Sequence, residues 1–212
     1  MVEVKIYTEG GGDAERLLRA CRAGFTAFFE RAGLKGMMPR VVACGGRGAA
    51  MDRFKSQVAI AASDQVHLLL VDSEDPVTGP CSGATAIAFL DARDGKGLGA
   101  IAKDHQCHLM VQVMESWFLA DPDELARFYG QGFNKSSLPT TSLENVMKQT
   151  VYDALNSATK STKTKGAYSK ASHSFELLGQ IDAKKVFDKS PWAARLVTTI
   201  AELKQGVILT KP

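Results

Sequence analysis

The chain has 212 residues, of which 45% are hydrophobic and 23% are charged, and its formal net charge at pH 7 is +3. This length is sufficient to bury a substantial core as one domain. No apolar stretch approaches the roughly 20 residues that a membrane helix needs, and the N-terminus begins with a charged strand instead of a signal sequence. We therefore expect a cytoplasmic protein with no membrane partner, whose four scattered cysteines are reduced.

Charge is distributed unevenly along the chain. Residues 135–212 contain 12 Lys and Arg against 6 Asp and Glu, whereas residues 1–134 contain 14 against 17. A metal-dependent enzyme that acts on a polyanion needs this combination, because carboxylates hold the metal and lysines attract phosphate. Lysines that only solubilise a helical surface give the same pattern, so charge leaves both interpretations open. We predict an α/β metal-binding core at 1–134 and a basic, mainly helical region at 135–212 packed on it.

Strands alternate with helices in the first third of the chain. Apolar runs predict strands at 2–8, 39–44 and 66–71, and helical periodicity predicts helices at 13–32 and 49–62. This alternation implies right-handed crossovers and a parallel sheet.

The pattern changes after the third strand. Residues 75–106 are rich in glycine and predict a long loop with one short helix near 83–93. A fourth strand is predicted at 108–113, and Asp121 is the predicted N-cap of a helix that begins at Pro122. Further helices are predicted at 142–158, 173–178 and 191–203. The expected fold class is α/β, with a mostly parallel sheet of about four strands flanked by helices and a basic helical C-terminal region.

Acidic residues follow two of the predicted buried strands. Glu9 and Asp13 flank three glycines after the first strand, and Asp72 and Glu74 end the third. In open α/β sheets the ligand crevice lies at the carboxyl ends of the strands. Two close carboxylates repel each other unless a cation compensates them, and Mg²⁺ and similar hard cations prefer carboxylate oxygen. The sequence therefore predicts a site for Mg²⁺ or Mn²⁺, with Glu115 after the fourth strand as a candidate further ligand.

Each of these acids also has a simpler interpretation. The segment from Glu9 to Asp13 is neither a P-loop nor a dinucleotide fingerprint. Its glycines allow a sharp turn that points both acids into the crevice, but Asp13 as a helix N-cap explains the pattern equally well. Asp72 and Glu74 are also compatible with a solvated acidic loop, and Glu115 with a helix start.

The basic segment 160–170 and the histidine that follows it suggest contacts with nucleic acid. Lysine ammonium groups contact phosphate as point charges, and a tyrosine can stack on a base. A lysine or histidine can also neutralise the charge that develops in a phosphoryl transition state. The alternative is a solvated, mobile loop. The candidate nucleic-acid-binding residues are Lys160, Lys163, Lys165, Tyr168, Lys170 and His173.

The strand ends resemble a known fold. A strand followed by Glu9-Gly10, and a later apolar strand that ends in Asp72-x-Glu74, resemble the Toprim fold of topoisomerases, primases and overcoming-lysogenisation-defect nucleases. The motifs over nearly the whole chain resemble a bacterial family of unknown function that is placed among Toprim-like proteins. Those motifs lie at residues 108–112, 114–121, 128–133, 173–179 and 190–193.

The resemblance implies a nuclease dependent on Mg²⁺ or Mn²⁺. Glu9 would correspond to the Toprim glutamate, a metal ligand or general acid/base, and Asp72 with Glu74 to the Asp-x-Asp metal pair. This chain has Glu in place of the second Asp, and the longer side chain moves the carboxylate. Asp13 and Glu115 would match the additional acids of the two-metal nuclease branch. Lys165 or Lys170 would match the lysine of that branch.

The resemblance also implies partners. Members of the family are often encoded beside an ABC-type or AAA-type ATPase in phage-defence or restriction-linked loci, so nucleic acid and an ATPase are the expected partners. The alternative function is a non-catalytic partner or effector subunit that regulates the ATPase and keeps the acids as a relic of the fold. Chemistry on small phosphate esters is a third option, and a homo-oligomer is compatible with each of these functions.

Overall fold

The computed structural model describes residues 2–208, and its centre is an all-parallel, four-stranded sheet in the order β2-β1-β3-β4. Each strand lies close to its predicted position, and the fourth ends three residues earlier than predicted. The predicted α/β fold class is confirmed. The strands are β1 (Glu3–Thr8), β2 (Arg40–Ala43), β3 (Gln65–Asp72) and β4 (Cys107–Met110).

Helices cover the sheet and form the basic C-terminal region. In the part of the chain that the structure describes, no helix is long and apolar enough to cross a membrane. The α-helices are α1 (Glu15–Phe29), α2 (Arg47–Val58), α3 (Gly83–Asp94), α4 (Pro122–Tyr129), α5 (Lys148–Thr159), α6 (Lys170–Leu178), α7 (Ala183–Lys189) and α8 (Pro191–Lys204).

The bounds of several helices differ from the sequence prediction: α2 ends at Val58 instead of residue 62, and α6 begins at Lys170 instead of residue 173. α5 begins later than predicted, because a short 3₁₀ helix at Leu143–Asn145 precedes it. α7 was not predicted, and its seven residues are too few to show a clear helical period. Asp121 caps α4 as predicted, since its side chain accepts a hydrogen bond from the backbone N–H of Glu124.

β3 is a central strand and is buried on both faces. Leu68 and Leu70 point into one apolar cluster, and Leu69 and Val71 point into the other. This alternation explains why the strand needs a continuous apolar run. The first cluster draws side chains from the sheet and from α1, α5, α6, α7 and α8, so residues 1–134 and 135–212 share a core. The predicted division after residue 134 stays a prediction.

The aromatic motif after β4 is part of this core. Trp117 and Phe118 are fully buried, and the ring of Trp117 stacks on Phe28 of α1 with centroids 5.1 Å apart. These rings are therefore packed inside the protein and are not exposed for a partner.

Candidate metal centre

The register of the sheet places the ends of β1 and β3 side by side. Thr8 pairs with Leu70, and the next backbone N–H, that of Glu9, donates to the carbonyl of Leu70 at 3.1 Å. The backbone N–H of Asp72 in turn lies 3.4 Å from Oε2 of Glu9, which accepts its hydrogen bond. The parallel pairing thus brings two carboxylates from distant parts of the sequence to one edge of the sheet.

Glu74 joins this pair through an unusual backbone conformation. Its φ of 68° is in the left-handed region, and its backbone N–H donates to the carbonyl of Gln112 at 2.8 Å. Glu9, Asp72 and Glu74 each offer a carboxylate oxygen, and these oxygens lie within 4.8 Å of one another. We call these three residues the acidic cluster. Its oxygen ligands are those that Mg²⁺ and Mn²⁺ prefer.

Burial and mutual repulsion oppose ionisation of the cluster. Burial raises the pKa of Asp72 well above its ordinary value, and the charges of Glu115 and Glu9 raise it further. Burial also raises the pKa of Glu9; the nearby Arg47 opposes this increase, and Glu74 adds to it. A divalent cation would remove this repulsion, so the cluster fits the chemistry of a metal site.

Two cations that the sequence analysis missed lie against the cluster. The guanidinium of Arg47 donates to the backbone carbonyl of Asp72, lies 4.0 Å from Glu9 and is fixed by hydrogen bonds to both carboxylate oxygens of Asp94. The Nζ of Lys148 forms an ion pair with Glu74. Arg47 follows Gly45-Gly46 at the end of β2, so its position near the carboxyl ends of the strands could have been predicted from the sequence. Nothing in the sequence around Lys148 indicates its contact with Glu74.

Asp13 lies outside the acidic cluster. Positive φ angles at the three preceding glycines, 132°, 89° and 54°, turn the chain away from the strand end, and the Asp13 side chain is exposed. The other prediction for Asp13, that it is the N-cap of α1, is wrong, because Ala14 occupies that position. Its role as a metal ligand stays a prediction.

Glu115 is near the cluster but is held by other groups. It is fully buried in a 3₁₀ helix, Met114–Ala120, that follows β4. Its carboxylate accepts hydrogen bonds from the hydroxyls of Tyr168 at 3.1 Å, Ser174 at 3.2 Å and Tyr152 at 3.3 Å. Glu115 is thus held in a hydrogen-bond network, and its role as a metal ligand stays a prediction.

The two candidate catalytic lysines are in different places. Lys170 Nζ donates to the Tyr152 hydroxyl at 3.0 Å and lies 3.6 Å from Glu115 Oε1. Burial lowers the pKa of Lys170, but Glu115 and the Tyr152 hydrogen bond outweigh this effect and raise it overall, so the ammonium stays charged. Lys165 instead pairs with Glu176 at 3.1 Å and lies over the ring of Phe128.

The predicted nucleic-acid contacts of Tyr168 and His173 stay predictions, and both side chains make hydrogen bonds inside the protein. The Tyr168 hydroxyl is engaged with Glu115 and, at 2.7 Å, with Ser174. His173 is buried, and its Nδ1 accepts hydrogen bonds from the Tyr129 hydroxyl and the Ser169 backbone N–H, each at 3.1 Å. The His173 ring is therefore buried and the Tyr168 ring is partly buried, whereas the candidate residues Lys160 and Lys163 are exposed.

A cavity of about 410 Å³ opens beside the acidic cluster. Glu9, Asp72, Glu115 and Lys170 form its polar side. Its apolar wall consists of Leu17, Met110, Met114 and Phe175, and the remaining lining comes from Gly10, Gly11, Gly12, Gly45 and Ala171. The cavity thus combines a charged side with an apolar wall.

Fold and site together define a class: an α/β protein with a parallel sheet and a carboxylate cluster at the carboxyl ends of its two central strands. The chain belongs to the family described as "Domain of unknown function (DUF4276)", which matches residues 8–201. No curated protein and no solved structure matches the chain.

Proposed function

We propose that this protein is a divalent-metal-dependent, Toprim-like nuclease that cleaves phosphodiester bonds in nucleic acid. One observation carries the proposal: Glu9, Asp72 and Glu74 place carboxylate oxygens within 4.8 Å of one another at the ends of adjacent parallel strands. These are the three residues that the Toprim resemblance assigns to the metal site. The same resemblance supports an ATPase partner in a phage-defence or restriction-linked system.

The chain supplies three kinds of group to this chemistry. Glu9, Asp72 and Glu74 would hold Mg²⁺ or Mn²⁺, which would supply an activated water and stabilisation of the leaving oxygen in phosphodiester hydrolysis. Lys170 lines the cavity as a fixed positive charge, because Glu115 and Tyr152 hold its ammonium group. Such a preorganised cation stabilises the negative charge that develops on a reacting phosphate.

Cleavage assays with matched variants test the proposal. Purified protein with Mn²⁺ should nick plasmid DNA or cut RNA, and Glu9→Gln and Asp72→Asn should each abolish this activity. Asp13→Asn is the matched control, since this nearby acid is exposed and lies outside the cluster. Metal-dependent cleavage that survives both cluster substitutions would overturn the proposal.

Calorimetric titration of Mg²⁺ or Mn²⁺ separates this function from a non-catalytic role beside an ATPase. The nuclease proposal requires metal binding at millimolar or tighter affinity, and Asp72→Asn should weaken it. Lack of any such binding favours the regulatory subunit.

A further inference from the structure

We infer that the cavity beside the acidic cluster takes the base of a single, unstacked nucleotide, and that Phe175 is the residue that contacts this base. The inference deepens the proposed function and rests on it, because a metal at the acidic cluster would bind the phosphate of the same nucleotide. It assigns a role to the apolar wall, which the metal chemistry alone does not use.

The size of the cavity favours a small ligand. Its volume of about 410 Å³ lies in the lower part of the range of roughly 300–1,000 Å³ that is typical of small-molecule pockets. A mononucleotide is a ligand of this class, whereas a double helix is far too wide to enter. The substrate would therefore place one nucleotide inside the cavity and leave the rest of the strand outside.

The two sides of the cavity match the two ends of a nucleotide. Asp72 and Glu9 belong to the acidic cluster, and Lys170 adds a positive charge on the same side. Most of the other side chains that line the cavity, among them Leu17 and Phe175, are apolar. A metal-bound phosphate suits the charged part of the lining, and a planar, weakly polar base suits the apolar part. A free phosphate or a sugar phosphate would leave the apolar wall uncovered.

Phe175 is the residue that would stack on the base, and it is partly buried against the first apolar cluster. Among the described residues that line the cavity it is the only aromatic one, and it takes part in none of the ring-to-ring contacts found among the described residues. A Cβ atom at Gly10 would lie 3.1 Å from Cζ of Phe175. The glycine directly after Glu9 thus leaves room for the ring beside the metal ligands.

A base that enters this cavity cannot be paired and stacked at the same time. Enzymes that need access to a single base act on single strands or extrude the nucleotide, and they stack it between aromatic and apolar side chains. We therefore expect cleavage of single-stranded or unpaired nucleotides to be faster than cleavage of an intact duplex.

Calorimetric binding of two non-cleavable ligands tests the inference. In the presence of Mn²⁺, AMP should bind the full-length protein about tenfold more tightly than ribose 5-phosphate, which has the same phosphate and sugar but no base. Phe175→Ala should remove most of this difference and leave the affinity for ribose 5-phosphate unchanged. Phe89→Ala is the matched control, because Phe89 is also partly buried but packs in the second apolar cluster.

A second variant and the two measured affinities decide the result. If Phe175→Ala fails to fold in a thermal unfolding assay, Phe175→Leu, which keeps apolar volume without a ring, should still lower the preference for AMP. Equal affinities for AMP and ribose 5-phosphate, or no binding of either in the millimolar range, would overturn the inference even if cleavage occurs. A base-dependent affinity that Phe175 controls, in a protein that cleaves nothing, would support the inference about the cavity while the nuclease proposal fails.

Discussion

The Nζ of Lys148 forms an ion pair with a carboxylate oxygen of Glu74, so the first residue of α5 reaches across to the acidic cluster at the end of β3. The two residues are 74 positions apart in the sequence. The basic C-terminal region thus supplies a positive charge where the α/β core concentrates negative charge. This ammonium and a metal ion would compete for the same carboxylate.

Removal of Lys148 should strengthen metal binding. We expect Lys148→Met to raise the affinity for Mn²⁺ by about 1.4- to fivefold, because a partly exposed ion pair is worth about 0.2–1 kcal/mol and the metal would no longer have to displace it. Calorimetric titration measures the change, and Lys163→Met, at an exposed lysine of the loop, is the control. Weaker binding by Lys148→Met would mean that Lys148 holds Glu74 in place for the metal.

Glu115 should matter for stability more than for metal binding. Glu115→Gln weakens charged hydrogen bonds from Tyr168 and Ser174, so we expect a loss of about 1.5–3 kcal/mol in the free energy of unfolding, measured with urea. Its Mn²⁺ affinity should fall far less than that of Glu9→Gln. The control is Glu176→Gln at an exposed ion pair. If Glu115→Gln loses metal binding as completely as Glu9→Gln, Glu115 is a ligand after all.

Asp72 should contribute less to the stability of the metal-free protein as pH rises. Burial, Glu115 and Glu9 raise the pKa of Asp72 in the folded state, so between the ordinary value of about 4 and this raised value the folded chain keeps a proton that the unfolded chain has released. Ionisation of Asp72 therefore favours unfolding across that window.

The variant Asp72→Asn checks this pH dependence. Asn cannot ionise and can still accept the hydrogen bond from the backbone N–H of Met114, which is 2.8 Å long in the wild type. Without metal at pH 7 we expect a higher unfolding temperature than that of the wild type. Saturating Mn²⁺ should reverse the order, because only the wild type keeps the complete cluster. A lower unfolding temperature for Asp72→Asn at pH 7 without metal would contradict the prediction, and Asp13→Asn serves as the control.

The exposed loop lysines remain the best candidates for phosphate contacts outside the cavity. We expect the double variant Lys160→Ala, Lys163→Ala to reduce the salt dependence of nucleic-acid binding by about one unit of slope for each lysine. Fluorescence anisotropy at several salt concentrations measures this slope. Tyr168→Phe and the helix variant Lys184→Ala should leave it unchanged. An unaltered slope in the double variant would place the phosphate contacts elsewhere on the protein.

Local sequence patterns predicted the strands of the sheet and the adjacent positions of Glu9 and Asp72. The apolar run of β3 is nearly unbroken because the strand is covered on both faces. Parallel strands end at one edge, so the adjacency of Glu9 and Asp72 followed from the order of strands and helices. Glu74 was predicted as a metal ligand after the strand, but the left-handed backbone conformation that places it, with a φ of 68°, was not.

The surroundings of these acids could not be predicted in the same way. Glu115 looked like a further ligand because it follows a strand, yet Tyr152 of α5 and Ser174 of α6 hold its carboxylate. Tyr168 looked like a base-stacking residue because lysines surround it in the sequence, yet its hydroxyl is directed to Glu115. These contacts join residues that are 37 to 59 positions apart.

Apolar patterning was thus enough to predict four strands and the carboxylates that follow them, since strand burial and strand ends depend on neighbouring residues. The packing of α5 and α6 against the 3₁₀ helix after β4, and of α6 against α1, set the rest: which acid meets Lys148, which meets Lys170, and which ring lines the cavity. Those partners come from distant segments, and the local sequence pattern does not indicate how two helices pack against other elements.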